Sequence, residues 1–136
     1  MRAVLDTNIL VSALIRKQGL PGQMLRYLRD GRFSIIYSVP IIIEVVEVSS
    51  RPQIQRKYHV LSDDITALIN LVRLRGELVS PKRKIDACKD PKDNRFLEAA
   101  VEENADMIVS GDKDLLDMKE FETIPIVSAA EFLVRF

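Results

Sequence analysis

Four carboxylates in this chain stand at positions from which they could share one ion. Asp6 follows directly on the apolar run Ala3-Val4-Leu5, and Glu44 is set among Ile41, Ile42, Ile43, Val45 and Val46. Asp93 closes the segment Asp90-Pro91-Lys92-Asp93, and Asp112 follows Met107-Ile108-Val109-Ser110-Gly111. Brought together, four such groups repel, and their proton affinities rise unless a cation compensates. Oxygen ligands without histidine or cysteine select Mg²⁺ or Mn²⁺ rather than zinc. An ion held that way activates a bound water and neutralises charge on a leaving oxygen, which is the chemistry of phosphodiester hydrolysis. No protein nucleophile is required. None is offered either, since Cys88 and His59 are the only residues of their types and fall in different segments.

Each acid also has a plainer use. Asp90 is a natural N-cap with Pro91 in the first helical position, and Asp93 can serve the same helix as a dipole partner. Asp112 can cap a helix at Lys113. Glu44 can face water from a helix edge; if it is enclosed by its aliphatic neighbours, it needs a cationic partner or a proton. Asp6 is hardest to account for by structure alone.

Positioning these groups falls to alternating strands and helices. A first strand at Ala3–Leu5 leads into a helix capped by Thr7 or Asn8 and running to Ile15, with Gly19 as its stop. A second helix starts at Pro21, places Met24, Leu25 and Leu28 on one face and halts at Gly31. Phe33 to Tyr37 is the second strand, followed by a helix entered at Pro40 and ended by Arg51-Pro52. A short polar helical segment reaches Val60. Ser62 then caps an amphipathic helix with Ile65, Leu68, Ile69 and Val72 at helical spacing, closed by Gly76. Leu78-Val79 is a short third strand. The helix opened at Asp90 buries Phe96, Leu97, Ala100 and Val101 and ends at Asn104. Met107 to Ser110 is the fourth strand, Asp114 to Lys119 a short helix, Pro125 to Val127 a fifth and edge strand, and Ser128 to Phe136 a terminal helix with Phe132 and Leu133 inward. In a parallel sheet with right-handed crossovers, strands end and crossover helices begin at the same edge. That edge of an open α/β sheet is where ligands bind. Asp6, Glu44, Asp93 and Asp112 therefore all arrive there.

The totals bound the answer. A chain of 136 residues with 47 % hydrophobic and 29 % charged residues fits one soluble globular domain, an α/β/α unit over residues 1–136 with no linker or repeat. Lys plus Arg equals Asp plus Glu at 20 each, which argues against a module basic over its whole surface. The single cysteine permits no internal disulfide and points to a reducing compartment. The amino terminus lacks a basic leader before its apolar stretch, and no run approaches the length of a membrane span; the cytoplasm is the expected location. Local basic groups are candidates for nucleic-acid contact: Arg26 and Arg29 on the second helix, and Lys82, Arg83 and Lys84 in a loop. Solvated faces are the plainer explanation of both groups.

The motifs Val4-Leu5-Asp6-Thr7-Asn8-Ile9-Leu10-Val11-Ser12, Glu44-Val45-Val46, Asp90-Pro91-Lys92-Asp93 with Phe96-Leu97-Glu98-Ala99-Ala100, and Ser110-Gly111-Asp112-Lys113-Asp114-Leu115 occur here in order. In that order the chain resembles, over its whole length, the PIN-domain family, especially the nucleases related to VapC of toxin–antitoxin pairs. The resemblance implies a sheet of four or five strands in the order 3-2-1-4-5. It implies a metal-dependent ribonuclease, with Asp6, Glu44, Asp93 and Asp112 around Mg²⁺ or Mn²⁺. Asp114 would assist or hold a second ion, and Asn8 would support the ligands by hydrogen bonding. Asp90 competes with Asp93 for the third place; Asp93 is preferred for its position relative to the Phe96–Ala100 helix. An antitoxin partner and a homodimer follow from the same resemblance. Two alternatives stand beside it. A phosphatase of the haloacid dehalogenase type would use Asp6 as nucleophile with Ser38, Gly111, Asp112 and Asp117, but it wants an acid where Asn8 stands. A non-catalytic PIN-like module would hold RNA or protein without cutting.

Overall fold

The computed structural model describes residues 1–136. At its centre lies β1 (Arg2–Leu5), paired in parallel with β2 (Ser34–Ser38) on one side and β4 (Met107–Val109) on the other. β3 (Gly76–Val79) extends the sheet beyond β2, and β6 (Ile124–Val127) extends it beyond β4. A two-residue β5 (Glu120–Phe121) pairs antiparallel with β6, giving the order β3-β2-β1-β4-β6-β5.

The alternation of side chains along these strands fixes the layers. Ala3, Leu5, Ile35, Tyr37, Met107, Val109 and Val127 enter one core with Leu10, Met24, Leu28, Leu68, Val72 and Phe132. Val4, Ile36, Ile108 and Ile126 enter the other with Phe96, Leu97, Ala100 and Leu115. Both faces are covered, which is why the central strands read as unbroken apolar runs. α1 (Thr7–Ile15), α2 (Leu20–Arg29), α5 (Ser62–Arg75) and α8 (Ala129–Leu133) cover the first face; α6 (Asn94–Glu102) and α7 (Lys113–Met118) cover the second. α3 (Val39–Ser49) supplies Val45 to one core and Ile41 to the other. α4 (Pro52–Tyr58) buries none of its residues. No helix is long and apolar enough to cross a membrane.

Several local expectations are corrected. The Pro125–Val127 strand is not at the edge: the chain after α7 folds back as β5 and caps it, a hairpin too short to carry a signal in the sequence. Gly76 does close α5, as its C-cap, but not in a left-handed conformation. It is extended (φ −126°, ψ 171°) and opens β3, where a Cβ would lie 2.8 Å from the Ile35 carbonyl oxygen and 2.4 Å from that of Val72. Ser62 is the first residue of α5 rather than its cap, and the Asp64 carboxylate accepts from the Leu61 N–H at 2.9 Å instead. The cap of α1 is neither Thr7 nor Asn8. It is Asp6, whose Oδ1 accepts from the Ile9 N–H at 2.9 Å.

Candidate functional site

Asp6, Glu44, Asp93 and Asp112 line one cavity of about 250 Å³ at the carboxyl edge of the sheet, together with Asn8, Asp90 and Lys92. β1 and β4 are neighbours, and the Asp6 N–H donates to the Val109 carbonyl at 3.0 Å. That bond ties the strand end carrying Asp6 to the strand that delivers Asp112. Ser110 completes the link: its hydroxyl donates to Asp6 Oδ2 and accepts from the Asp112 N–H at 2.9 Å. Asp6 is 2 % exposed. Burial raises its proton affinity, against the hydrogen bonds from Ser110, Ile9 and Gly111; the Asp112 charge adds to the rise.

Asp93 and Asp90 divide their two roles cleanly. Asp90 caps the 3₁₀ turn Pro91–Asp93, with its Oδ1 accepting from the Lys92 N–H at 3.0 Å. Asp93, directly before α6, makes no capping hydrogen bond. Its carboxyl is pushed up to about 7, first by desolvation, then by the hydrogen bond and charge of Asp112, and then by the charges of Asp90 and Asp6. The side chain not spent on the cap is the one crowded against other acids.

Glu44 enters from α3. The Thr7 hydroxyl donates to its Oε1, and Arg95 Nη1 lies 3.6 Å from its Oε2. The cationic partner that an enclosed Glu44 needs is thus Arg95, in the first turn of α6. Arg95 is itself anchored by the carbonyls of Lys92 (2.8 Å) and Pro40 (3.1 Å).

The acids line one cavity without three of them closing on a common point. Asp6 is turned toward its own hydrogen-bond donors, and Glu44 is held by Thr7 and Arg95. The donor set nevertheless fits a hard divalent cation. Every candidate ligand is a carboxylate oxygen, and the raised proton affinities of Asp6 and Asp93 mark where positive charge is lacking.

Other expected site residues lie elsewhere. Asp114 is exposed in the first turn of α7, where its N–H donates to Asp112 Oδ1 at 3.4 Å, and its side chain does not line the cavity. Asn8 is on the rim. Arg26 and Arg29 line a separate hollow with Leu25 and Leu71; Arg26 donates to the Lys17 carbonyl and Arg29 pairs with Asp30. Arg83 is paired with Glu122, and the Lys82 N–H is bound to Glu102. Of the expected basic residues only Lys84 approaches the site, lining a hollow of about 360 Å³ with Lys92 and Arg95. The phosphatase set is not assembled: Ser38 and Asp117 line no part of the acid cavity, and Asp117 is paired with Lys113 at 2.9 Å. Cys88 has a thiol pushed up to about 11 by burial and by Asp93, Asp112 and Asp90, so it stays a thiol. Ser110, Lys92 and Arg95 went unassigned in the sequence, and Thr7 was read only as a helix cap. Ser110 alone carried a visible sign, as a hydroxyl between a buried strand and Gly111-Asp112.

The PIN domain family profile matches residues 2–114. An uncharacterized protein of Methanocaldococcus jannaschii is 28 % identical over 120 residues, covering 88 % of this chain and 76 % of that protein. Among solved structures, VapBC2 from Rickettsia felis, bound to a DNA fragment from its promoter, aligns with a TM-score of 0.60 at 16 % identity, covering 94 % of this chain and 98 % of the other. PAE2754 from Pyrobaculum aerophilum aligns with a TM-score of 0.60 at 10 % identity over 99 % of this chain and 88 % of that one. At those identities the likeness is one of fold.

Proposed function

The chain belongs to the PIN-domain family, whose members are generally ribonucleases, and from that premise we propose that it is a metal-dependent endoribonuclease. The observation that carries the proposal is the cavity lined by Asp6, Glu44, Asp93 and Asp112, in which Asp93 holds its proton up to about 7. Divalent ions are typical of the family. Here Asp6, Glu44, Asp93 and Asp112, which line the one cavity, would hold Mg²⁺ or Mn²⁺. The ion would supply an activated water and charge neutralisation at the phosphate.

The chain's own residues prepare that chemistry. Ser110 and the Ile9 N–H fix the two oxygens of Asp6, while Thr7 and Arg95 fix Glu44. Lys92 and Arg95 present cations beside the acids, where a neighbouring phosphate of the substrate would lie. The kinship in fold with VapBC2 supports an antitoxin partner; a toxin role, a homodimeric state and a cytoplasmic location belong to the same proposed reading and rest on the resemblance alone.

The test incubates purified protein and single-stranded RNA with Mn²⁺, with a chelator, and as Asp6→Asn. Cleavage should need the ion and fall roughly a hundredfold or more in the variant. Asparagine caps a helix as well as aspartate does, so circular dichroism should report an intact fold. Equal rates for wild type and variant would leave a non-catalytic domain that holds RNA or protein.

A further inference from the structure

We infer that a second, larger cleft adjoining the acid cavity is a subsite for one nucleobase of single-stranded RNA; the inference rests on the nuclease reading above. The cleft has a volume of about 640 Å³ against about 250 Å³ for the acid cavity. That is within the range of roughly 300–1,000 Å³ typical of small-molecule sites.

The two cavities are continuous in their lining. Asn8 lines both, and Ser110 and Gly111 of the larger cleft connect directly to Asp112 of the smaller. A Cβ added at Gly111 would meet nothing within 4 Å, so the space beside that residue is open.

The lining chooses the occupant. Of its fourteen residues Arg16 alone is charged, so the cleft is built for a neutral group rather than a phosphate. The hollow lined by Lys84, Lys92 and Arg95 has the opposite character. Tyr58, half-buried at the end of α4, supplies an aromatic ring, and Arg16 supplies a guanidinium plane. Unpaired RNA bases are held by stacking on such groups and by hydrogen bonds to their edges. Asn8 offers an amide that both donates and accepts.

The experiment compares wild type, Tyr58→Ala, Tyr58→Phe and Ala130→Trp. α4 buries none of its residues and Ala130 is exposed on the cleft rim, so all should fold. Tyr58→Ala should raise KM for a short RNA roughly tenfold with kcat little changed, Tyr58→Phe should restore it, and Ala130→Trp should block the cleft and raise KM as well. All three should hydrolyse methyl 4-nitrophenyl phosphate, a diester without a base, at the wild-type rate. A KM for RNA that is unmoved by Tyr58→Ala and Ala130→Trp would overturn the subsite. If wild type cleaves neither substrate, it is the nuclease reading that fails. Titration with RNA carrying 2-aminopurine, in chelator, then decides the cleft: quenching by wild type that Tyr58→Ala loses supports it, and equal quenching, or none by wild type, refutes it.

Discussion

Asp93 shows how closely the site's chemistry is tied to its stability. Its carboxyl titrates near 7 in the folded protein against an ordinary value of 3.8. Between those values the folded state therefore holds a proton that the unfolded chain has released, and stability falls as pH rises through that window. A shift of this size corresponds to at most about 4 kcal/mol, and partial solvent exposure cuts the effect to about 1 kcal/mol. In chelator, the urea midpoint of wild type should drop between pH 4.5 and 7.5. Asp93→Asn should show a flatter profile and be the more stable protein at pH 7.5; a wild-type midpoint that rises across the window would refute this account. At this scale the sequence exposed the acids because a carboxylate at the end of an apolar strand is conspicuous. Their supports were hidden. Ser110 reaches Asp6 across 104 residues and Thr7 reaches Glu44 across 37, and hydrogen bonds of that range leave no periodicity to read.

At the scale of elements, the parallel core was legible because strands buried on both faces leave runs such as Ile35-Ile36-Tyr37 and Met107-Ile108-Val109. What escaped was set by backbone proximity. Gly76 reads as a helix stop and is one, but the sequence did not show that the chain passes there straight into β3 against the Ile35 and Val72 carbonyls. Gly76→Ala places a methyl group on those backbone atoms, neither of which can swing away. It should destabilise the protein by about 1–3 kcal/mol, measured as a lowered midpoint in denaturant. Amide exchange should quicken first in β3, the edge strand. The β5 hairpin was missed for a different reason: two residues cannot display an alternation.

At the scale of the whole molecule, a net charge of zero conceals local crowding of acids. Acids crowd the cavity at the carboxyl edge of the sheet, and a second group, Glu77, Glu103 and Asp106, surrounds Arg2 at the start of β1. On the proposed metal-dependent reading, the crowded edge makes the folded state a better ligand for divalent ions than the unfolded chain. Mn²⁺ at about a hundred times its Kd should add about 2.7 kcal/mol of stability, seen as a rise of several degrees in Tm that Asp93→Asn largely loses. An equal rise in both proteins would place the ion elsewhere. Asp6 has a consequence for descent. Because one side chain both starts α1 and walls the cavity, replacing one carboxylate oxygen with an NH2 group keeps the helix start and removes the negative charge. On the proposed nuclease reading, the fold can therefore outlive its chemistry, and a lineage can pass from cutting to merely holding in one step without crossing an unfolded ancestor.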